Sequence, residues 1–308
     1  MYMDSKLQHI LTPLSKILQA RLADTSWIWV QKQLELLRVP DHENVFYTAF
    51  SGAIRHAKNT PLHLDEKDLK ALYALEEFGV EDGKCNLTTW SIDELLRVFF
   101  VCHLPISHSE ESLVTYNHIL DNLIDTADNR ERIAYYKGLS LYPSPESHYE
   151  RVRTGLRSNI SAVFDAIALG NPYSSKHLKE DAWNQMVLKA LFIGTPLHKI
   201  QNLDQRANPR LKDMLLEYAN ERRAAGRRIY PSLWRCVGPF ANQEELLELE
   251  TAYNSEDENE RKGAGLALLS SKEPFAQSIL NSNPNLEYEL KSHAISWHTI
   301  KWENLYYD

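Results

Sequence analysis

Apolar residues recur at steps of three and four almost everywhere along this 308-residue chain, while period-two alternation bounded by tight turns is scarce. That contrast makes the helix the regular element able to bury one face of such a sequence, and it predicts an all-α protein. Thr12-Pro13 reads as a helix start, a capping hydroxyl before a proline at the first helical position, with Leu14, Ile17, Leu18 and Leu22 on one stripe behind it. Around Trp90-Ser91-Ile92-Asp93-Glu94-Leu95 the start signal is fuller: Ser91 caps, Glu94 closes a capping box, and Trp90 and Leu95 form a hydrophobic staple. Further helices are predicted at about 26–38, 44–57, 66–78, 109–124, 130–141, 145–157, 160–169, 182–193, 209–225, 242–253, 257–269 and 273–281.

Short connections between helices of modest length favour antiparallel neighbours stacked in pairs, a HEAT-like α-solenoid. No Pro/Gly/Ser-rich linker interrupts the chain, so one body over residues 1–308 is expected, with a core at 181–240 and a HEAT-like pair at 242–298. Gly138-Leu139-Ser140-Leu141 with Glu146 lies over Gly265-Leu266-Ala267-Leu268 with Glu273 at an offset of 127 positions, the trace of an internal repeat whose small residues let helices approach.

With 43% hydrophobic and 25% charged residues the chain has ordinary globular composition, and its net charge of −8 argues against a nucleic-acid partner, which would need a basic face. Cys85, Cys102 and Cys236 are far apart and form no CxxC, so reduced, buried thiols are expected. The N-terminus lacks the pattern of a signal peptide, and the longest apolar runs, such as Val98-Phe99-Phe100-Val101-Cys102, are far short of a membrane span. A soluble, cytoplasmic protein is expected.

The segment from Trp183 to Phe240 holds the unusual polar residues. Trp183, Met186, Val187, Leu188, Ala190, Leu191, Phe192 and Ile193 make its first helix apolar nearly all round, which predicts a central helix. Asn184, Gln185 and Lys189 must then find partners, border a cavity, or reach solvent, because a buried unpaired amide or ammonium costs several kcal/mol. Gln185 and Lys189 share a face. Asn208-Pro209 starts a helix that Gly226 stops, with Leu211, Met214, Leu215 and Tyr218 as its buried stripe. Arg222 falls on that stripe and calls for a carboxylate, Asp204 or Glu221, while Arg206 beside the helix start suits an anion. Residues 206–235 carry eight Lys/Arg against three Asp/Glu, and 241–261 carry one Arg against eight acids. Arg222-Arg223 and Arg227-Arg228 would attract a phosphate or diphosphate and the acids a partner protein, unless the two faces simply attract one another.

Trp183-Asn184-Gln185-Met186-Val187-Leu188-Lys189-Ala190, Leu203-Asp204-Gln205-Arg206-Ala207-Asn208-Pro209, Met214-Leu215-Leu216-Glu217-Tyr218-Ala219 and Glu221-Arg222 follow one another in order. Behind them come Ala224-Ala225-Gly226-Arg227, Pro231-Ser232-Leu233-Trp234 and Val237-Gly238-Pro239-Phe240. This ordered set strongly resembles the EboA family of bacterial proteins, encoded in an operon also found in some algal plastids. The resemblance implies a role in movement or maturation of a secondary-metabolite precursor. It also implies partners among the operon's other products, which include a prenyltransferase-like membrane protein, but it supplies no catalytic residues.

Other constellations carry less. Asp121, Asp125 and Asp128 share a helical face as magnesium-diphosphate acids do, yet no second metal-binding set follows, and Asp128-Asn129 sits where a helix cap belongs. Cys102-His103 with His108 lacks a fourth ligand for zinc. No GxSxG, P-loop or GxGxxG occurs, so no cofactor is expected. Trp297, Trp302, Tyr306 and Tyr307 suit a docking surface or an anchor for the chain's last helix. The expectation is a non-catalytic helical-repeat binding or scaffold protein for a phosphorylated or prenylated metabolite. Its candidate ligand or anion site is Asn184, Gln185, Lys189, Asp204, Arg206, Asn208, Arg222 and Trp234. The rival is an enzyme with Asp121, Asp125, Lys189 and Arg222 around a closed cavity.

Overall fold

The computed structural model describes residues 5–39, 42–73, 86–106 and 109–300, and among them the regular structure is helical with no strand. Cys85, His108, Trp302, Tyr306 and Tyr307 lie outside the described residues. Contacts divide the chain into two compact units, Met1–Leu178 and Lys179–Asp308.

The first unit contains α1 (Ser5–Arg21), α2 (Asp24–Leu36), α3 (Glu43–His56), α4 (Glu66–Tyr73), α5 (Ile92–Cys102), α6 (Glu110–Thr126), α7 (Asn129–Lys137), α8 (Tyr149–Leu156), α9 (Ser161–Ala168) and α10 (Pro172–His177). Helix α1 does not start at Thr12-Pro13; Pro13 lies inside it. The reason is that the buried stripe begins upstream, at Ile10 and Leu11, and burying two such side chains, about 1.5–3 kcal/mol each, offsets the roughly 3 kcal/mol an interior proline costs. Thr12 therefore bonds back to the Gln8 carbonyl, 2.8 Å, instead of capping. Ser91 and Glu94 do form the capping box that opens α5. Nearly every residue of α5 from Asp93 to Cys102 is buried, which makes it the central helix of this unit, packed on α1, α3 and α7. Its buried polar pair is joined by an ion pair, Arg97 donating to Asp93 one turn away; Asp93 also accepts from the Ser91 hydroxyl at 2.7 Å, while Arg97 Nε has no hydrogen-bond partner among the described residues. The stack continues from α7 to α9.

Between α7 and α8 a polar chain threads the core. Arg151 donates to Asp121 and Asn117, 2.7 Å each, and through Nε to the Tyr135 hydroxyl at 3.1 Å. Tyr135 is 2.7 Å from His148 Nδ1, and His148 Nε2 is 3.0 Å from the Pro143 carbonyl. A carbonyl only accepts, so Nε2 carries the proton and Nδ1 receives that of Tyr135. Burial, with the nearby Arg151 charge, pushes the His148 pKa down to about 3, so the ring is neutral at physiological pH.

The second unit contains α11 (Glu180–Ile193), α12 (Leu203–Arg206), α13 (Pro209–Ala224), α14 (Leu246–Tyr253), α15 (Glu258–Ser270), α16 (Phe275–Leu280) and α17 (Pro284–Lys291). Helix α15 gathers α14, α16, α17 and the 3-10 turns at Pro231–Cys236 and Gly238–Phe240 around itself. It can do so because Gly263, Ala264, Gly265 and Ala267 leave its backbone bare: a side chain at Gly238 would strike the Ala267 backbone, and one at Gly263 would strike Pro231. The suspected repeat does not hold at the level of structure. Gly138 is the C-cap of α7 and residues 139–141 form a 3-10 turn, whereas Gly265–Leu268 lies in mid-helix. What the two segments share is the need for a small residue, since a Cβ at Gly138 would meet Tyr142 and Val98 and one at Gly265 would meet Leu290.

Candidate functional site

Helix α11 is buried on one face only. Trp183, Asn184, Met186, Val187, Ala190 and Leu191 are buried, while Gln185 is exposed and Phe192 stands 70% exposed. The prediction of a central helix is corrected here, because the stripe Gln185, Leu188, Lys189, Phe192, spaced i, i+3, i+4, i+7, is not packed into the core and borders a cleft. Tyr218, Glu221 and Arg222 of α13 and Arg227 just beyond it supply the other wall, and the cleft encloses about 360 Å³. That volume suits a small organic molecule. The ends of both helices are firmly set: Gly194 closes α11 in the left-handed region at φ 76°, and Asn208 caps α13 by accepting from Leu211 N–H at 2.9 Å.

Three of the eight candidate residues, Gln185, Lys189 and Arg222, share this cleft. Partial burial lowers the Lys189 pKa, since desolvation disfavours the ammonium. Arg222 is held by its Nε, which donates to the Arg228 carbonyl, by the Tyr230 ring 4.7 Å from its guanidinium carbon, and by the Tyr218 hydroxyl at 3.4 Å. It takes neither expected carboxylate. Asp204 instead receives a bidentate pair from Arg235, 2.6 and 2.8 Å, and Glu221 makes no ion pair among the described residues.

The other candidates serve elsewhere. Asn184 and Asn208 exchange amide hydrogen bonds at 2.9 and 3.2 Å, so the buried amide of α11 is satisfied by the residue that caps α13. That cap takes the Leu211 N–H at the start of α13, and Arg206 lies over the Trp183 ring at 4.6 Å. Trp234 is wholly buried in the turn that packs on α15. Trp297 lies against Arg235, with its ring 5.9 Å from the guanidinium carbon.

The rival set is dispersed likewise. Asp121 holds Arg151, Asp128 caps α7 in a capping box with Glu131, and neither Asp121 nor Asp125 lines the cleft. Cys102 and Cys236 are buried and desolvation raises both thiols, Cys236 to about 12, so neither is a ready nucleophile. Much of the charge contrast along the chain is consumed internally: Lys212 meets Glu245, Arg223 meets Glu248 and Arg228 meets Asp257. Sequence reasoning did not assign Leu188, Phe192, Tyr218, Glu221 and Arg227 to the cleft. The signal for the first two was the heptad-like spacing that begins at Gln185.

In class, this is an all-helical protein with an apolar, cation-lined cleft in its second unit and no helix among the described residues long and apolar enough to cross a membrane. The chain belongs to the EboA family: the family's sequence model, described as metabolite traffic protein EboA, matches residues 10–238. The match reaches far upstream of the motif-rich segment and includes every residue that lines the cleft. No curated protein and no solved structure matches the chain.

Proposed function

We propose that this protein is a non-catalytic binding protein of metabolite traffic, which holds a phosphorylated or prenylated precursor in the cleft between α11 and α13 and hands it to other proteins of the same operon, including a prenyltransferase-like membrane protein. The observation that carries the reading is the composition of the cleft. Leu188 and Phe192 offer apolar surface beside Lys189, Arg222 and Arg227, the combination that suits a small amphiphile with an anionic end. The clamp on Arg222 supports holding over turnover, since a fixed guanidinium binds without reorganising. The stacking of α3, α5, α7 and α9 in the first unit supports a HEAT-like scaffold, whose surface would engage the protein partners.

Native mass spectrometry of the full chain purified from its own host tests the reading, with a Leu188→Asp variant alongside. A small-molecule mass retained by the wild type and lost in the variant is the expected result. A bare chain in both, with no operon protein recovered in a pull-down, would remove the binding role.

A further inference from the structure

The tandem arginines at the end of α13 divide into two pairs with different surroundings. Arg223 and Arg228 are neutralised by Glu248 and Asp257. Arg222 and Arg227 meet no carboxylate among the described residues, and both line the cleft.

Their proximity is built into the helix cap. Gly226 is left-handed at φ 67°, its N–H bonds to the Arg223 carbonyl at 3.0 Å, and the N–H of Arg227 bonds to the Arg222 carbonyl at 2.8 Å. This is a Schellman ending, in which the side chain after the glycine commonly makes an apolar contact with the side chain five residues before it. Here both positions hold a guanidinium. The negative end of the α13 dipole eases the repulsion. Lys189 adds a third cation from α11, against the single carboxylate of Glu221. Four charged groups thus leave the cleft an excess of two positive charges.

From this we infer that the cleft is a receptor for a phosphate ester, its tetrahedral head bridging Arg222 and Arg227 beside Lys189 and its apolar body lying on Leu188 and Phe192. The inference rests on the binding role proposed above and narrows it to a phosphorylated ligand. A carboxylate has two oxygens in one plane and satisfies one guanidinium fork. A phosphate monoester presents three terminal oxygens and a charge of about −1.5 to −2, enough to engage two forks at once. Inorganic phosphate would meet the same cations without using the apolar wall.

The test is titration of the full chain with naphthyl phosphate, followed by naphthyl fluorescence, with naphthol and naphthoate run in parallel and inorganic phosphate as a competitor. Naphthyl phosphate should bind at least about tenfold more tightly than each of the other three, the worth of a charge-assisted hydrogen bond. Arg222→Gln and Arg227→Gln should each weaken it about tenfold or more, while Arg223→Gln should leave it unchanged. Arg227 is exposed and beyond the end of α13, so its loss does not threaten folding. Unchanged affinity in Arg227→Gln and Arg222→Gln would overturn the inference, as would inorganic phosphate competing as strongly as the ester. Naphthol binding as tightly as its phosphate, with loss in Leu188→Asp, would overturn the phosphate class and leave the cleft a binding site. Absence of binding by every probe would overturn both.

Discussion

Lowering the pH tests the buried chain Arg151–Tyr135–His148–Pro143, because its proton positions are set by which atoms can only accept. Buried His148 titrates at about 3, against an ordinary value of 6.5. Protons therefore bind the unfolded state preferentially throughout that window. The contribution to stability is intact above pH 6.5 and is lost progressively as pH falls toward 3. By about pH 5 the loss is about 1.4 kcal/mol for each of roughly 1.5 pH units, about 2 kcal/mol in all. His56, His103 and His177 are also shifted down by burial and push in the same direction, so the contribution of His148 must be isolated by difference. His148→Gln removes the titration while keeping one amide to donate or accept. Hydrogen–deuterium exchange of peptides from α7 and α8 is the suitable assay, comparing variant with wild type at the same pH so that intrinsic exchange chemistry cancels. Between about pH 7.5 and pH 5 the wild type should lose about 2 kcal/mol more protection than His148→Gln. Equal losses in the two proteins would refute the neutral, buried ring.

Glu221→Gln removes the one carboxylate lining the cleft and should tighten naphthyl phosphate about two- to tenfold in the fluorescence titration, less at high salt. Asn208→Ala deletes the α13 cap and strands the buried Asn184 amide, about 1 kcal/mol for the first and about 1–3 kcal/mol for the second, read as a drop in the urea midpoint. Two glycines should separate space from backbone conformation in the same urea assay. Gly238→Ala drives a methyl into the Ala267 backbone and should cost about 1–3 kcal/mol or more, whereas Gly226→Ala meets no atom and should cost only the left-handed strain, about 1–2 kcal/mol. Gly226→Ala should also loosen the Schellman cap and weaken phosphate binding with Arg227.

The helical class, the capping box at Ser91, the Asp128 and Asn208 caps and the stop at Gly226 were legible because each is a local signal, written within four or five residues. Residue Pro13 misled for the complementary reason: the local start signal was outweighed by burial of Ile10 and Leu11, a tertiary effect no window shows. The site divided along the same line. The identity of a polar residue on α11 says nothing about whether its partner will be solvent, a cleft or another amide, and so Asn184, whose partner is Asn208, looked equivalent to Lys189.

Adjacent arginines are harder still. Arg222 and Arg223 differ by about 100° around α13, and only the placement of α14 with Glu248 decides which one is consumed by an ion pair. Yet part of this was readable. Once Gly226 is taken as the left-handed residue of a Schellman ending, the 6→1 bond dictates that position 227 returns beside position 222 and not beside 223. An arginine at both positions, where an apolar pair is usual, was therefore visible in the sequence as a place where two like charges stem from adjoining backbone. Such an arrangement persists most readily where an anion comes to sit between them.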